Sequence, residues 1–424
     1  MADSGRGAVL GNKDGLCLAL LWLSGVCMRL SILVVPPIIP QLHADLALSQ
    51  TQVGILSALP SLLLALAAIP GALFVARLGA PVTIVAGMLV AAAASALRAG
   101  VAGSGELFAA TVVMGLGLSI MQPAMPQLVR TWMPRRIGYA TAMYMSGLLV
   151  GQVIAVWATP ALVLPLVDGD WRRSLLVWAL PVVVIAIAVW VMAPGLPGGR
   201  SGRAQAGAPG RAPGSGQGGA LMNGRRWWPD WRKPLVWQLG LLTGSVNSLY
   251  FTMNFFLPDY LVSRGEADWV STLLTSLNLG QIPGSFLMLA VAGRWGRQRA
   301  AYVVSAMLAL AGMLGVLFTH GPLMVAFAFL FGGATTITFV LCFALPALLS
   351  APDDVHRTAA AMFTLSYSCA VVTPVLGGFL WDLTGLPLMA FAPVLVWPLV
   401  TWGMTVVIDL GHQPTETSAR TGGA

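Results

Sequence analysis

The chain has 424 residues, 57% of them hydrophobic and only 9% charged, with a mean hydropathy of +0.81. A soluble domain carries about a quarter charged residues, so this composition excludes a water-facing globular protein and leaves lipid as the solvent. The net charge of +8 does not signal nucleic-acid binding, because the basic residues fall between apolar runs rather than along one face.

A spanning helix needs about 20 apolar residues, and runs of that length predict helices over 14–39, 52–75, 81–97, 107–129, 138–162 and 174–193. The first run reaches Ile39, too long for a cleaved signal core, and is expected to remain a membrane span. A polar break follows, and six further helices are predicted over 235–257, 270–292, 300–319, 322–349, 359–380 and 387–408. The expectation is an all-α membrane protein of twelve transmembrane helices. Its parts are a six-helix half at 1–193, a linker at 194–233 and a second half with a short tail at 234–424.

The linker is crowded with Gly, Pro, Ala and Arg and cannot bury enough apolar area to fold, so it is expected to be flexible. Trp227, Trp228 and Trp231, mixed with Arg225, Arg226 and Arg232, suit an interfacial anchor at its end. Eighteen basic residues lie on the side of the N-terminus and the linker, against four on the other side, namely Arg98, Arg172, Arg173 and Arg264. The positive-inside rule then predicts an inner (cell) membrane protein with both termini cytoplasmic. Cys17, Cys27, Cys342 and Cys369 lie inside apolar runs without metal or redox spacing, so they read as packing residues.

The halves can be laid on each other. A shift of 218 residues puts Pro40 on Pro258, and a shift of 220 puts Pro126 on Pro346. Arg77-Leu78-Gly79 meets Arg294-Trp295-Gly296 with one residue of slippage. The ordered set points to a duplicated six-helix unit, with any solute site near the midplane. The loop Gly71-Ala72-Leu73-Phe74-Val75-Ala76-Arg77-Leu78-Gly79 resembles a worn form of the cytoplasmic loop motif of the major facilitator superfamily, without its usual acidic residue. By that resemblance Gly71, Arg77, Gly79, Arg294 and Gly296 are expected in gating loops.

Gly115-Leu116-Gly117-Leu118-Ser119-Ile120, Pro126 to Arg130, and Pro134-Arg135-Arg136-Ile137-Gly138 resemble the fourth helix and following loop of the cyanate porter family, which includes a nitroimidazole transporter. Asp170-Trp171-Arg172, Leu257-Pro258-Asp259-Tyr260-Leu261, Arg29 and Thr384-Gly385 fit the same family. Phe255 and Phe256 stand where that family usually has tryptophan, and Thr364 stands for its glutamine upstream of Tyr367.

Arg29 is the one charge well inside a predicted span. A cation there costs at least about 2.5–3.5 kcal/mol on insertion scales, so it must face a wet cavity or a partner. Asp45, Glu106, Asp168, Asp170, Asp259, Glu266, Asp268, Asp353, Asp354 and Asp382 are all expected in loops or at helix ends, which leaves Arg29 without a carboxylate. Its planar fork suits a two-oxygen acceptor on a visiting anion, with an arginine that snorkels outward or is satisfied by backbone carbonyls the rival reading. Adding 218 to 29 reaches Asn247, and Tyr250 and Asn254 share roughly one helical face with it. Asn247, Tyr250, Asn254, Gln122 and Tyr367 are therefore candidate lining residues beside Arg29, with interhelical hydrogen bonding the rival reading. Tyr144, Gln152, Asn278 and Gln281 are further polar residues at membrane depth. Pro36-Pro37, Pro123 to Pro126, and Pro346 are candidate bends.

These residues predict a secondary transporter of a small anionic or electron-rich solute, cyanate-like or nitro-aromatic, working by alternating access. A multidrug or metabolite exporter of the same fold ranks second and a non-transporting sensor third. No nucleophile–base pair, metal spacing or phosphate loop occurs, so no enzyme, metal or cofactor is expected. The expected partners are a small-molecule substrate and the lipid bilayer, with protons open as a coupling ion. No nucleic acid is expected as a partner, and the oligomeric state is expected to be a monomer.

Overall fold

Proline has no amide hydrogen to give an α-helix interior, and the first span breaks at Pro36-Pro37. The computed structural model, which describes residues 12–66, 74–75, 77–134, 136–193, 230–350 and 355–410, shows this break directly. Helix α1 covers Asn12–Leu33, a 3-10 turn covers Pro36–Ile38, and α2 covers Ile39–Leu46. Next come α3 (Gln50–Leu66), α4 (Ala80–Leu97), α5 (Ser104–Trp132), α6 (Ile137–Ala158) and α7 (Trp171–Met192). A π turn over Thr159–Val163 prolongs α6. The second series is α8 (Pro234–Ser263), α9 (Val270–Trp295), α10 (Arg299–Phe318), α11 (Pro322–Leu349) and α12 (Val355–Thr384). A 3-10 stretch over Pro387–Leu395 leads into α13 (Val396–Val407).

Every regular element among the described residues is helical, and nine helical stretches are long and apolar enough to cross a membrane. The helices α3, α8 and α9 stand at the three other expected positions, consistent with twelve spans. The protein is a multi-pass membrane protein. Pro123, Pro126 and Pro346 do not interrupt their helices: α5 and α11 run through them. Of the candidate bends, only Pro36-Pro37 ends a helix. The linker expected at 194–233 lies outside the described residues except for 230–233.

Tertiary contacts gather the chain into two units, residues 1–35 with 67–223 and residues 36–66 with 224–424. The first boundary falls at the proline pair. Residues 36–66, which belong to the first half by sequence order, thus join the second unit. The physical reason is close docking of α3 on α12: a Cβ at Gly378 would lie 2.2 Å from the Gln50 carbonyl oxygen, and one at Gly54 2.5 Å from that of Pro374.

Close backbone approach also builds each unit internally, as expected where lipid supplies no hydrophobic drive between helices. In the first unit a Cβ at Gly147 would meet the Trp22 carbonyl at 2.2 Å, so α1 and α6 touch along a small-residue ridge. In the second, a Cβ at Gly332 would lie 1.8 Å from the Leu277 carbonyl, which fixes α11 against α9.

Candidate functional site

The first unit holds two guanidinium groups in different circumstances. Arg29 lies on α1 between buried Met28 and Leu30, is itself half-buried, and has no hydrogen bond or ion pair among the described residues. Arg98 stands just beyond the end of α4, where the sequence places it, but it is buried. It occupies the 3-10 turn that ends α4 and is 1% exposed. Its Nη2 donates to the Ser31 carbonyl at 3.3 Å and to Ser95 Oγ at 3.0 Å. The Ser31 carbonyl belongs to the last turn of α1, and a helix C-terminus carries about half a negative charge, so this contact favours the cation, while Arg98 Nε is buried without a partner among the described residues. Arg29 has no such arrangement. Gln122 on α5 is exposed and without a hydrogen bond among the described residues.

The second unit gathers the other four candidate lining residues. Asn247 Nδ2 donates to Ser366 Oγ at 2.7 Å, tying α8 to α12. Tyr250 OH donates to Asn278 Oδ1 at 2.8 Å, and Asn278 Nδ2 donates to Asn254 Oδ1 at 2.9 Å. Gln281 Nε2 adds a second donor to Asn278 Oδ1 at 3.2 Å, and Asn254 and Asn278 have no solvent exposure. The α8 row is thus a hydrogen-bonded network with α9. Tyr367 stacks on Phe363, 6.3 Å between ring centroids, and Phe363 continues through Phe343 to Phe339 at 4.8 and 4.3 Å. This half-buried aromatic row joins α11 to α12; helical spacing of Phe339 with Phe343 and of Phe363 with Tyr367 was its only sequence signal.

Of the gating-loop candidates, Gly71 lies outside the described residues. Arg77 and Arg294 are exposed, with no ion pair among the described residues. Gly79 has φ of 81°, in the left-handed region that glycine tolerates, immediately before α4 starts. The Gly296 carbonyl accepts from Tyr302 OH at 2.9 Å.

Asp259 also stands near a helix end, as expected, but it is buried. It lies within α8, four residues before the helix ends, and is 7% exposed. Its Oδ2 is 3.1 Å from Gln50 Nε2 and 3.4 Å from His43 Nδ1. Asp382, in the last turn of α12, accepts from the backbone N–H groups of Gln50 at 2.8 Å and Thr51 at 2.7 Å. The first turn of α3 is completed by a reciprocal capping box, Gln52 N–H to Ser49 Oγ at 3.2 Å and Ser49 N–H to Gln52 Oε1 at 2.9 Å. Sequence spacing of Ser49 and Gln52 could have revealed the box. The other contacts join residues more than two hundred positions apart and left no local signal.

Among the described residues, no three or more His, Cys, Asp or Glu side chains are grouped to hold a metal.

The model of the Major Facilitator Superfamily matches residues 21–274. The cyanate transport protein CynX of Escherichia coli (strain K12) is 26% identical over 377 residues, covering 88% of this chain and 92% of that protein. The 2-nitroimidazole transporter of the same organism is 24% identical, covering 90% of this chain and 93% of that protein. Among solved structures, a bacterial homolog to the human lysosomal transporter Spinster superposes with a TM-score of 0.69 at 17% identity, over 96% of this chain and 95% of that one. A D-xylose-proton symporter gives 0.67 at 12% identity, over 92% and 96%. These two likenesses concern the fold.

Proposed function

Because the chain belongs to the Major Facilitator Superfamily and is a membrane transporter rather than an enzyme, we propose that it carries a small anionic or electron-rich solute by alternating access. The observation that supports this is Arg29: a half-buried guanidinium within α1, with no protein partner among the described residues. A membrane-embedded cation is expensive unless something answers it, and two acceptor oxygens or an electron-rich linear anion match its fork. Arg98 supplies the contrast, since its Nη2 already donates to the Ser31 carbonyl and to Ser95 Oγ. The two relatives transport cyanate and 2-nitroimidazole, solutes with the required acceptor atoms.

Tyr367, at the end of the row Phe339, Phe343 and Phe363 within the second unit, stays in the proposal as an aromatic lining group. Asn247, Tyr250, Asn254 and Gln122 stay in the proposal as lining groups, the first three doubling as interhelical hydrogen-bond partners. An inner-membrane location with cytoplasmic termini and a monomeric state complete the reading, resting on the charge asymmetry of the loops and the six-plus-six repeat.

Uptake of labelled cyanate and of 2-nitroimidazole into proteoliposomes tests it, with wild type, Arg29→Lys and Arg29→Ala side by side. Losing a charge-assisted contact of about 1.5–3 kcal/mol raises the half-saturation concentration by about 10- to 100-fold in Arg29→Ala. Arg29→Lys should recover only part, because an ammonium cannot make the forked contact. Equal uptake by wild type and Arg29→Ala of every solute transported would remove Arg29 from the site.

A further inference from the structure

The second unit contains a titratable cluster that solute binding does not use. Asp259 on α8 and His43 on α2 face each other across 3.4 Å, with side chains 8% and 38% exposed. Gln50, the first residue of α3, lies between them, its Nε2 at 3.1 Å from Asp259 Oδ2 and 3.3 Å from His43 Nδ1. No lysine or arginine pairs with Asp259 among the described residues. A carboxylate shut into a membrane bundle without a cation is costly. Among the described residues its only neighbour able to become cationic is the His43 imidazole, the more exposed of the two and the one water can reach.

The other charged groups are accounted for. From α12, Asp382 faces the same region, but its oxygens already accept the Gln50 and Thr51 amides. On α2 itself Asp45 is exposed and has a contact of its own. From α3 only the uncharged Gln50 takes part. Its Oε1 is a buried acceptor without a donor among the described residues, so Gln50 has spare capacity for one more hydrogen.

Hydrogen counting defines two states. The Gln50 amide has two N–H groups; with His43 neutral and its hydrogen on Nε2, Gln50 can donate one to His43 Nδ1 and one to Asp259 Oδ2. A proton taken from water onto Nδ1 turns that nitrogen into a donor. It then bonds Asp259 Oδ2, and the hydrogen bond from Gln50 to His43 breaks. Gln50 is also where Asp382 and Gly378 pin the start of α3, so its side chain carries the change to that helix.

We propose that His43 and Asp259 bind one exchangeable proton, and that Gln50 transmits its presence to the first turn of α3, which links the transport cycle to pH. The inference goes beyond the solute assignment and does not depend on it.

Hydrogen exchange of the solute-free full-length protein in lipid nanodiscs tests it. Exchange at the amides of Gln50 and Thr51 is measured at about pH 5 and about pH 8, which bracket ordinary histidine titration, and corrected for intrinsic rates. Wild type should show about a 2- to 10-fold change in protection, the equivalent of one hydrogen bond. His43→Gln and Asp259→Asn should each abolish that change. A pH-independent wild type, or variants that keep the full change, overturns the proposal. If Asp259→Asn fails to fold, His43→Gln, altered at a partly exposed ring, decides by itself. Because no solute is present, a failed cyanate or nitroimidazole assay leaves this result readable.

Discussion

Asp382 stands at the wrong end of its own helix and the right end of another. In the last turn of α12 its charge opposes the helix dipole, whereas at the N-terminus of α3 it complements one. The four leading amides of α3 can be followed singly: Gln50 and Thr51 bond Asp382, Gln52 bonds Ser49 Oγ, and Val53 bonds the Ser49 carbonyl at 3.0 Å. Asp382→Ala therefore removes the acceptor of two of these amides and leaves the other two bonded. Loss of such a cap costs about 1–2 kcal/mol; because Asp382 is exposed and water can replace it, the full desolvation penalty does not apply. Exchange at Gln50 and Thr51 should accelerate about 5- to 30-fold, with Val53 less affected. Asp382→Asn keeps an acceptor but not the charge and should lose about half as much free energy. Hydrogen exchange read by mass spectrometry at fixed pH measures both. Exchange at Gln50 and Thr51 unchanged by Asp382→Ala would refute the assignment of Asp382 as the cap of α3.

Two further outcomes follow from the buried polar groups. Asn278→Leu removes the partner of Tyr250, Asn254 and Gln281 at once, and at about 0.6 kcal/mol per membrane hydrogen bond the cost is about 2 kcal/mol. Thermal unfolding in detergent should show it, and the double variant with Asn254→Leu should lose less than the sum of the two. For Arg98, a charge without a counter-acid, replacement by a hydrophobe of similar length avoids the desolvation cost. Arg98→Met should thus stay within about 1 kcal/mol of wild type, whereas Arg98→Ala should lose about 2 kcal/mol or more to the cavity it leaves. Comparable destabilisation by both in a thermal-shift series would show that the guanidinium bonds themselves dominate.

The sequence by itself determined that this is a helical membrane protein with its spans in this order, because apolar runs of bilayer length are a local property of the chain. It also marked Pro36-Pro37 among three candidate bends, of which this one ends a helix, and it singled out Arg29 as a charge within α1. Tertiary structure alone decided that Arg98 is buried, that residues 36–66 join the second unit, and that Asp259 meets His43 and Gln50. In each of these cases the deciding partner lies dozens to hundreds of residues away. Whether a polar side chain meets carbonyls, another side chain or open space depends on which helix is packed beside it. Hydropathy and spacing along one helix carry no information about that neighbour, which is why Arg98 and Asp259 looked like ordinary loop or helix-end charges until the bundle was assembled.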